Sequence, residues 1–319
     1  MEEISKKVHQ NNKGKKYIFK RISIIFKIII ILFLFRSHNQ FYNQKYIDKL
    51  KYYFLNINKH KQVIDLGEGG FLELFTNNNK SVEIETKNGT IFKSDILFLV
   101  IPGGSYKKIG KPEGFPVAKK FYSLGYSTAV LKYSVYPKYY PTNYNQGLKS
   151  IELLSSKFAK IILIGFSAGG HLAGILGTTE RDKLFNAIAM ILCYPVISFV
   201  DNVHKDSRKY FLGEENENNE NYQKLYSVEK RVSSNTLPTF IWTIKNDKIV
   251  NYENTLLMIK ALEKKNVKFE YKIFEEGRHG MALADESAIR YGIKEFKNDE
   301  VAKWVNLACN FVESLIKNN

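Results

Sequence analysis

The stretch that decides the fold is Ile161-Ile-Leu-Ile-Gly-Phe-Ser167-Ala-Gly-Gly-His171-Leu-Ala-Gly174. An apolar, β-branched run leads into a turn around Ser167, and small residues typical of a tightly packed helix follow. Strand, sharp turn and helix with a serine at the apex form the G-x-S-x-G pattern called a nucleophile elbow. Glycines two residues before and after the serine leave room where strand and helix nearly touch. The pattern predicts Ser167 as a nucleophile and places the Ala168 N–H where an oxyanion could develop.

Around this stretch, apolar strands alternate with amphipathic helices from residue 95 onward. The pattern predicts a mostly parallel sheet with helices on both faces, which is an α/β fold. An Asn- and Glu-rich stretch interrupts the alternation and predicts a small cap insertion at residues 195–236. Before the alternation, short strands with turn signals over residues 71–92 indicate antiparallel strands at a sheet edge. The predicted buried strands are Ile96–Ile101, Ser127–Tyr133, Lys160–Ile164, Ala187–Leu192, Thr239–Ile244 and Lys268–Phe274.

A serine nucleophile needs a base, and the base needs an acid that orients it. With a nucleophile elbow the chain order is Ser, acid, His. His279 lies between Gly277 and Gly280 on the loop that follows the last predicted strand, from which it can reach Ser167, so it is the predicted base. Asp247 follows the preceding strand and is the predicted acid. Asp201 and Glu276 are the fallback acids. Asp201 lies too early in the chain for this role, and Glu276 lies too close to His279.

Two other histidines have different predicted roles. His171 lies one turn into the elbow helix, which predicts packing and hydrogen bonding rather than catalysis. His204 falls in the cap insertion, and a structural or a substrate-facing role remains open for it.

The loop after the strand that ends at Ile101 is Pro-Gly-Gly-Ser-Tyr. Paired glycines let backbone N–H groups approach a substrate closely. The predicted oxyanion hole therefore combines the Ala168 N–H with that of Gly104 as first choice or Gly103 as second.

The net charge of +16 is unevenly distributed along the 319 residues. Residues 1–61 carry 14 Lys and Arg against 3 Asp and Glu, a net +11, which leaves +5 for residues 62–319. The basic excess therefore belongs to the N-terminal segment and does not indicate a nucleic-acid-binding domain.

Residues 18–35 are largely apolar, with basic residues before and among them. The layout resembles a signal sequence without an obvious cleavage site, so we expect an uncleaved hydrophobic anchor followed by a linker to residue 61. The cluster of positive charge at its start favours a domain outside the cytoplasm. A cleaved signal, with secretion, and a merely hydrophobic leader, with a cytoplasmic protein, are the alternatives.

Cys193 falls in a predicted buried strand and Cys309 on the last predicted helix. Both are expected to be core or near-core thiols, because a free cysteine behaves as a small hydrophobic residue. The sequence contains no zinc-ligand spacing, so no metal and no cofactor are predicted.

Five motifs in order resemble the acetyl esterase/lipase branch of the α/β-hydrolases, closest to the group with acetyl-xylan and feruloyl esterases. The resemblance covers about residue 95 to the C-terminus. It implies an α/β-hydrolase fold and hydrolysis of a carboxylic ester, with short-chain acyl groups on a carbohydrate as substrate. It also implies Ser167, Asp247 and His279 as the triad. Ser105 stands where the family often has a third glycine. The motifs are Pro-Gly-Gly-Ser-Tyr, Gly-Phe-Ser-Ala-Gly-Gly-His-Leu-Ala, Cys-Tyr-Pro-Val-Ile-Ser, Asn-Asp-Lys-Ile-Val and Gly-Arg-His-Gly-Met-Ala-Leu.

Two alternative functions stay open. One is a serine peptidase or another acyl hydrolase on the same fold, since a fold does not determine the substrate. The other is a non-catalytic, membrane-tethered interaction protein. The oligomeric state is not predicted.

Overall fold

The computed structural model describes residues 61–287 and 294–318. Within these ranges the chain forms ten strands and nine α-helices. The strands are β1 (Lys61–Gly67), β2 (Gly70–Phe75), β3 (Glu83–Thr86), β4 (Gly89–Phe92), β5 (Ile96–Ile101), β6 (Ser127–Lys132), β7 (Lys160–Phe166), β8 (Ala187–Cys193), β9 (Thr239–Ile244) and β10 (Phe269–Phe274). The helices are α1 (Phe115–Ser123), α2 (Thr142–Ser155), α3 (Ala168–Gly177), α4 (Lys205–Leu212), α5 (Glu220–Leu225), α6 (Val228–Arg231), α7 (Glu253–Lys264), α8 (Asp299–Ala302) and α9 (Trp304–Asn318).

Eight strands form one sheet in the order β1-β2-β6-β5-β7-β8-β9-β10. The pairs from β6 to β10 are parallel, whereas β1 with β2 and β2 with β6 are antiparallel. In a parallel sheet the carboxyl ends of neighbouring strands meet at the same edge. The loops that follow β5, β7, β8, β9 and β10 therefore converge there, and the predicted site residues lie in those loops.

Both faces of this sheet are buried. All six residues of β5 are fully buried, and they alternate between two hydrophobic clusters on opposite faces. Leu97 and Leu99 belong to one cluster, and Phe98 and Val100 belong to the other. The alternation follows from the two-residue period of a strand, and it explains why the central strands read as continuous apolar runs. The predicted doubly covered, mostly parallel sheet is confirmed.

The antiparallel part differs from its prediction. No strand was predicted at residues 61–67, yet Lys61 to Gly67 pair with β2 and form the edge of the main sheet. Strands β3 and β4 were expected at the sheet edge, but they form a separate two-stranded sheet. The strongly turn-forming residues 77–79 redirect the chain after β2, so the next hairpin does not continue the sheet.

The predicted anchor at residues 18–35 and most of the basic segment 1–61 lie outside the described residues. Among the helices that the structure describes, none has the length and apolar character needed to cross a membrane. Within the predicted cap insertion 195–236, the chain forms the three short helices α4, α5 and α6. Of the two cysteines, Cys193 is buried and Cys309 is half-buried, and both are free thiols, as predicted.

Candidate active site

The elbow has the geometry that its glycines predict. Ser167 lies between β7 and α3 with φ 51° and ψ −119°, a backbone conformation that non-glycine residues rarely adopt. A Cβ atom on Gly165 would lie 2.3 Å from the carbonyl oxygen of Gly169. One on Gly169 would lie 2.1 Å from the carbonyl oxygen of Ile101. The close approach of strand, helix and the loop after β5 therefore requires glycine at both positions.

The structure brings together the three residues predicted as a triad. The His279 Nε2 atom lies 2.8 Å from the Ser167 Oγ atom, and His279 Nδ1 lies 2.7 Å from Asp247 Oδ2. The other carboxylate oxygen of Asp247 accepts the N–H groups of Ile249 at 2.8 Å and Val250 at 3.1 Å. Because a carboxylate can only accept hydrogen bonds, the His279 proton lies on Nδ1. Nε2 is therefore free to accept the proton of the Ser167 hydroxyl. The arrangement can deprotonate a serine hydroxyl.

The fallback acids do not take this place. Glu276 accepts a hydrogen bond from the side chain of Asn246, and Asp201 is exposed on the cap. His204 caps helix α4, because its Nδ1 accepts the N–H of Ser207. Of the two possibilities for His204, the structure shows the structural one, since the side chain caps a helix.

The loop after β5 supplies candidate oxyanion donors. The N–H of Gly103 donates to the Glu113 carboxylate at 2.8 Å, so this second-choice donor is not available in the structure. Within the described residues, no acceptor is found for the N–H groups of Gly104 and Ser105. Ala168 is the first residue of α3, so its N–H has no partner inside the helix. These observations favour Gly104 over Gly103 as the donor beside Ala168, and they add Ser105 as a further candidate donor that was not predicted.

His171 is a buried connecting residue, as predicted. Its Nε2 lies 2.8 Å from the carbonyl oxygen of Tyr226, and its Nδ1 lies 2.8 Å from the hydroxyl of Tyr106. Because a carbonyl can only accept, Nε2 carries the proton and Nδ1 accepts from the tyrosine. The ring also stacks on Phe199 with centroids 4.2 Å apart. His171 therefore joins the elbow helix, the loop after β5 and the cap.

A polar cleft of about 560 Å³ opens beside the triad acid. Neither Ser167 nor His279 lines it, so it is a neighbour of the site and not the site itself. Among the residues that the structure describes, no group of three or more His, Cys, Asp and Glu side chains is arranged to hold a metal ion. The cleft is lined by Asn202, Val203, Lys245, Asn246, Asp247, Lys248, Ile249, Asn251 and Tyr252.

Comparison with known proteins agrees with this architecture. The profile of the prolyl oligopeptidase family matches residues 150–296, a segment that contains all three triad positions. Endo-1,4-beta-xylanase B of Butyrivibrio fibrisolvens is 32% identical over 209 residues, which are 59% of this chain and 33% of that protein. An acetylxylan esterase of Xylanibacter ruminicola is 32% identical over 124 residues, which are 38% of this chain and 26% of that protein. The chain thus spans a third or less of the length of the curated relatives it matches.

A solved structure covers more of the fold. The acetyl ester-xyloside bifunctional hydrolase of Caldicellulosiruptor lactoaceticus is 29% identical, with a TM-score of 0.61 over 78% of this chain and 97% of that one. The strand order, the strained serine at the elbow and the serine–histidine–aspartate contacts are those of the same fold. The chain therefore has the α/β-hydrolase fold.

Proposed function

We propose that this protein is a serine esterase that cleaves carboxylic esters through an acyl-enzyme. The observation that carries the proposal is the chain of two short contacts from Ser167 through His279 to Asp247. Three residues separated by up to 112 positions meet in the order that nucleophilic catalysis requires. The sequence resemblance to esterases supports the same conclusion.

The geometry supports a two-step reaction. The Ser167 Oγ atom attacks the ester carbonyl carbon, and its proton passes to His279 Nε2. The new imidazolium is stabilised by Asp247, while N–H groups of Ala168 and Gly104 donate to the oxyanion. When the carbon–oxygen bond to the alcohol breaks, His279 returns the proton to the leaving oxygen. Water then attacks the acyl-enzyme by the same route, and Ser167 is restored.

For the substrate, we propose a short-chain acyl ester, with acetyl esters of carbohydrates as the leading class. Support comes from the relatives, because one is an acetylxylan esterase and another is an acetyl ester-xyloside hydrolase. No cofactor or metal ion takes part in the proposed reaction, and no nucleic acid is a partner.

A panel of substrates tests the proposal directly. The full chain is assayed with p-nitrophenyl esters from acetate to octanoate, with acetylated xylan, with a feruloyl ester and with peptide p-nitroanilides. Highest kcat/KM on acetate, with acetate release from acetylated xylan, is the expected result. A preference for octanoate, or no activity on any ester, would contradict it.

The family profile gives one specific reason to consider a peptidase, because it is that of the prolyl oligopeptidases. Serine peptidases also hydrolyse activated esters, so the decisive comparison is between an ester and an amide with the same acyl group. We expect cleavage of the ester without measurable cleavage of the amide. Efficient release of p-nitroaniline would favour the peptidase.

A fluorophosphonate probe separates both enzymes from a non-catalytic interaction protein, since it labels only an activated serine. Wild-type protein should be labelled, and Ser167→Ala should not. An unlabelled wild type, or a label that survives this substitution, would support the interaction protein.

We also propose that residues 18–35 anchor the protein in a membrane with the catalytic domain outside the cytoplasm. The proposal rests on the apolar run and the basic residues before it. Membrane fractionation of full-length protein, followed by protease treatment of intact cells, tests it. Carbonate-extractable protein, or a domain that external protease cannot reach, would argue against it.

A further inference from the structure

Glu113 is a buried carboxyl group close to the triad that the proposed reaction does not use. It lies on the chain between β5 and α1 and is only 6% exposed. One carboxylate oxygen accepts the N–H of Gly103 at 2.8 Å, and the other accepts the hydroxyl of Tyr194 at 2.8 Å. A buried carboxyl group is costly unless its oxygens are hydrogen-bonded, so these two bonds explain how it is accommodated.

The first bond fixes the loop that carries the candidate oxyanion donor. A Cβ atom on Gly103 would lie 2.6 Å from the carbonyl oxygen of Phe166 and 2.9 Å from the Ser167 Cβ atom. The Gly103 backbone is therefore held between the elbow on one side and the Glu113 carboxylate on the other. The loop is closed further along, where the Gly110 N–H donates to the Gly103 carbonyl oxygen at 2.8 Å.

The second bond reaches the histidine of the triad. The hydroxyl of Tyr194 donates to Glu113 and accepts the N–H of Ala282 at 3.0 Å, three residues after His279. The Tyr194 ring lies edge-on to the His279 imidazole, with centroids 4.9 Å apart. Glu113 is thus connected by hydrogen bonds to the oxyanion loop and, through one tyrosine, to the histidine loop.

We propose that Glu113 is a positioning residue that holds the oxyanion loop and the histidine loop in register with Ser167. The inference deepens the proposed esterase function and rests on it. By accepting the Gly103 N–H, the carboxylate fixes the Pro102–Gly103 peptide and leaves the Gly104 N–H to the substrate oxygen. An oxyanion donor contributes only when it already points at the place where charge develops, so a loose loop lowers kcat more than substrate affinity.

Charge also bears on this arrangement. Burial raises the pKa of the Glu113 carboxyl, while the nearby His279 and the bonds from Tyr194 and Gly103 act in the opposite direction. Both polar neighbours donate hydrogen bonds to the carboxyl oxygens, which suits the carboxylate form. A glutamine at this position would keep an acceptor for Gly103 but would present an amide NH₂ to the tyrosine hydroxyl.

The test compares full-chain wild type with Glu113→Ala, Glu113→Gln and Tyr194→Phe. For p-nitrophenyl acetate, Glu113→Ala is expected to lower kcat by about 10²-fold, the effect of losing one oxyanion donor. We expect KM to stay within about threefold, because ground-state binding is not involved. The glutamine and phenylalanine variants each keep part of the network, so their kcat should fall by about three- to tenfold.

Glu229→Ala is the matched control. Glu229 is also a buried glutamate, and it accepts a hydrogen bond from the Ser198 hydroxyl within the cap. It should leave kcat within about twofold of wild type, since it touches neither loop. A Glu113→Ala variant that keeps wild-type kcat, loses no more than this control, or changes KM alone would overturn the proposal.

Amide hydrogen exchange supplies a readout that does not depend on esterase activity. The Gly103 N–H should exchange slowly in wild type and much faster in Glu113→Ala, because its acceptor is removed. An unchanged exchange rate of the Gly103 N–H in Glu113→Ala would overturn the proposal that Glu113 holds this loop, even if kcat fell. If wild type hydrolyses no ester, the proposed function fails, and the exchange measurement still decides whether Glu113 holds the loop. If the alanine variant does not fold, kcat of Glu113→Gln and Tyr194→Phe decides the outcome: a loss of about three- to tenfold at unchanged KM supports the proposal, and a kcat within about twofold of wild type in both variants overturns it.

Discussion

Replacing His171 with glutamine should remove about 2 kcal/mol of the pH dependence of folding stability between pH 7 and pH 5. Burial lowers the pKa of the His171 imidazole to about 3, with a smaller contribution in the same direction from Arg231, while the bond to the Tyr226 carbonyl acts the other way. The neutral ring is held by Tyr106 and Tyr226. A glutamine amide can also donate to a carbonyl and accept from a hydroxyl, but it binds no proton in this range.

The sign follows from comparing the folded and unfolded chains. The unfolded imidazole takes up a proton near pH 6.5, whereas the folded one does so only near pH 3. Between these pH values the unfolded chain binds a proton at His171 and the folded chain does not. The free energy of unfolding therefore falls as the pH drops from 6.5 toward 3. For these two pKa values, His171 alone accounts for a loss of about 2 kcal/mol between pH 7 and pH 5.

Urea unfolding at pH 8, 7, 6 and 5, followed by tryptophan fluorescence, measures the effect. The two tryptophans, Trp242 and Trp304, are both buried in the domain, so their emission reports its unfolding. Burial also lowers the pKa of His204, so His204→Gln serves as a comparison with the same sign. Wild type and His171→Gln that lose equal stability between pH 7 and pH 5 would refute the reasoning.

Three further perturbations test the site. Asp247→Asn should lower kcat by about 10⁴-fold at pH 7, because the base is left in the wrong tautomer; a loss below tenfold would exclude the proposed role. Gly169→Ala should lower the free energy of unfolding by about 1–3 kcal/mol or more, since its Cβ meets backbone oxygens that cannot move aside; an unchanged urea midpoint would contradict this. Tyr106→Phe should lower the free energy of unfolding by about 1–3 kcal/mol in the same assay, because His171 loses a buried donor; an unchanged urea midpoint would show that this hydrogen bond does not stabilise the fold.

The sequence predicts the parallel part of the fold well, because a strand that is buried on both faces needs apolar residues at nearly every position. Strands such as β5 and β7 are continuous apolar runs, and their observed bounds agree with the predicted ones to within two residues. Strand β1 escapes prediction for the opposite reason. It is an edge strand whose residues are largely exposed, with Val63 at 58%, and its polar sequence resembles the linker before it. Only its pairing with β2 makes it a strand.

The triad could be predicted because each member occupies a position that the fold itself defines. Ser167 lies at an elbow with a required glycine pattern, and Asp247 and His279 follow consecutive strands whose carboxyl ends meet. The sequence predicts Gly104 before Gly103 as the oxyanion donor, but it does not show why the Gly103 N–H is unavailable. That depends on where one side chain ten residues away comes to rest.

Glu113 marks the limit of such reasoning. It stands in Gly-Lys-Pro-Glu-Gly-Phe-Pro, a charged, glycine- and proline-containing segment that has every local property of an exposed loop. Its burial arises only after the loop folds back on Gly103 and after Tyr194, 81 residues later, closes over it. Local propensity cannot encode such a contact, because the free energy that favours burial comes from two partners on other elements. A buried carboxyl group is accommodated only where its oxygens find donors, and here those donors belong to the loop beside the nucleophile and to Tyr194.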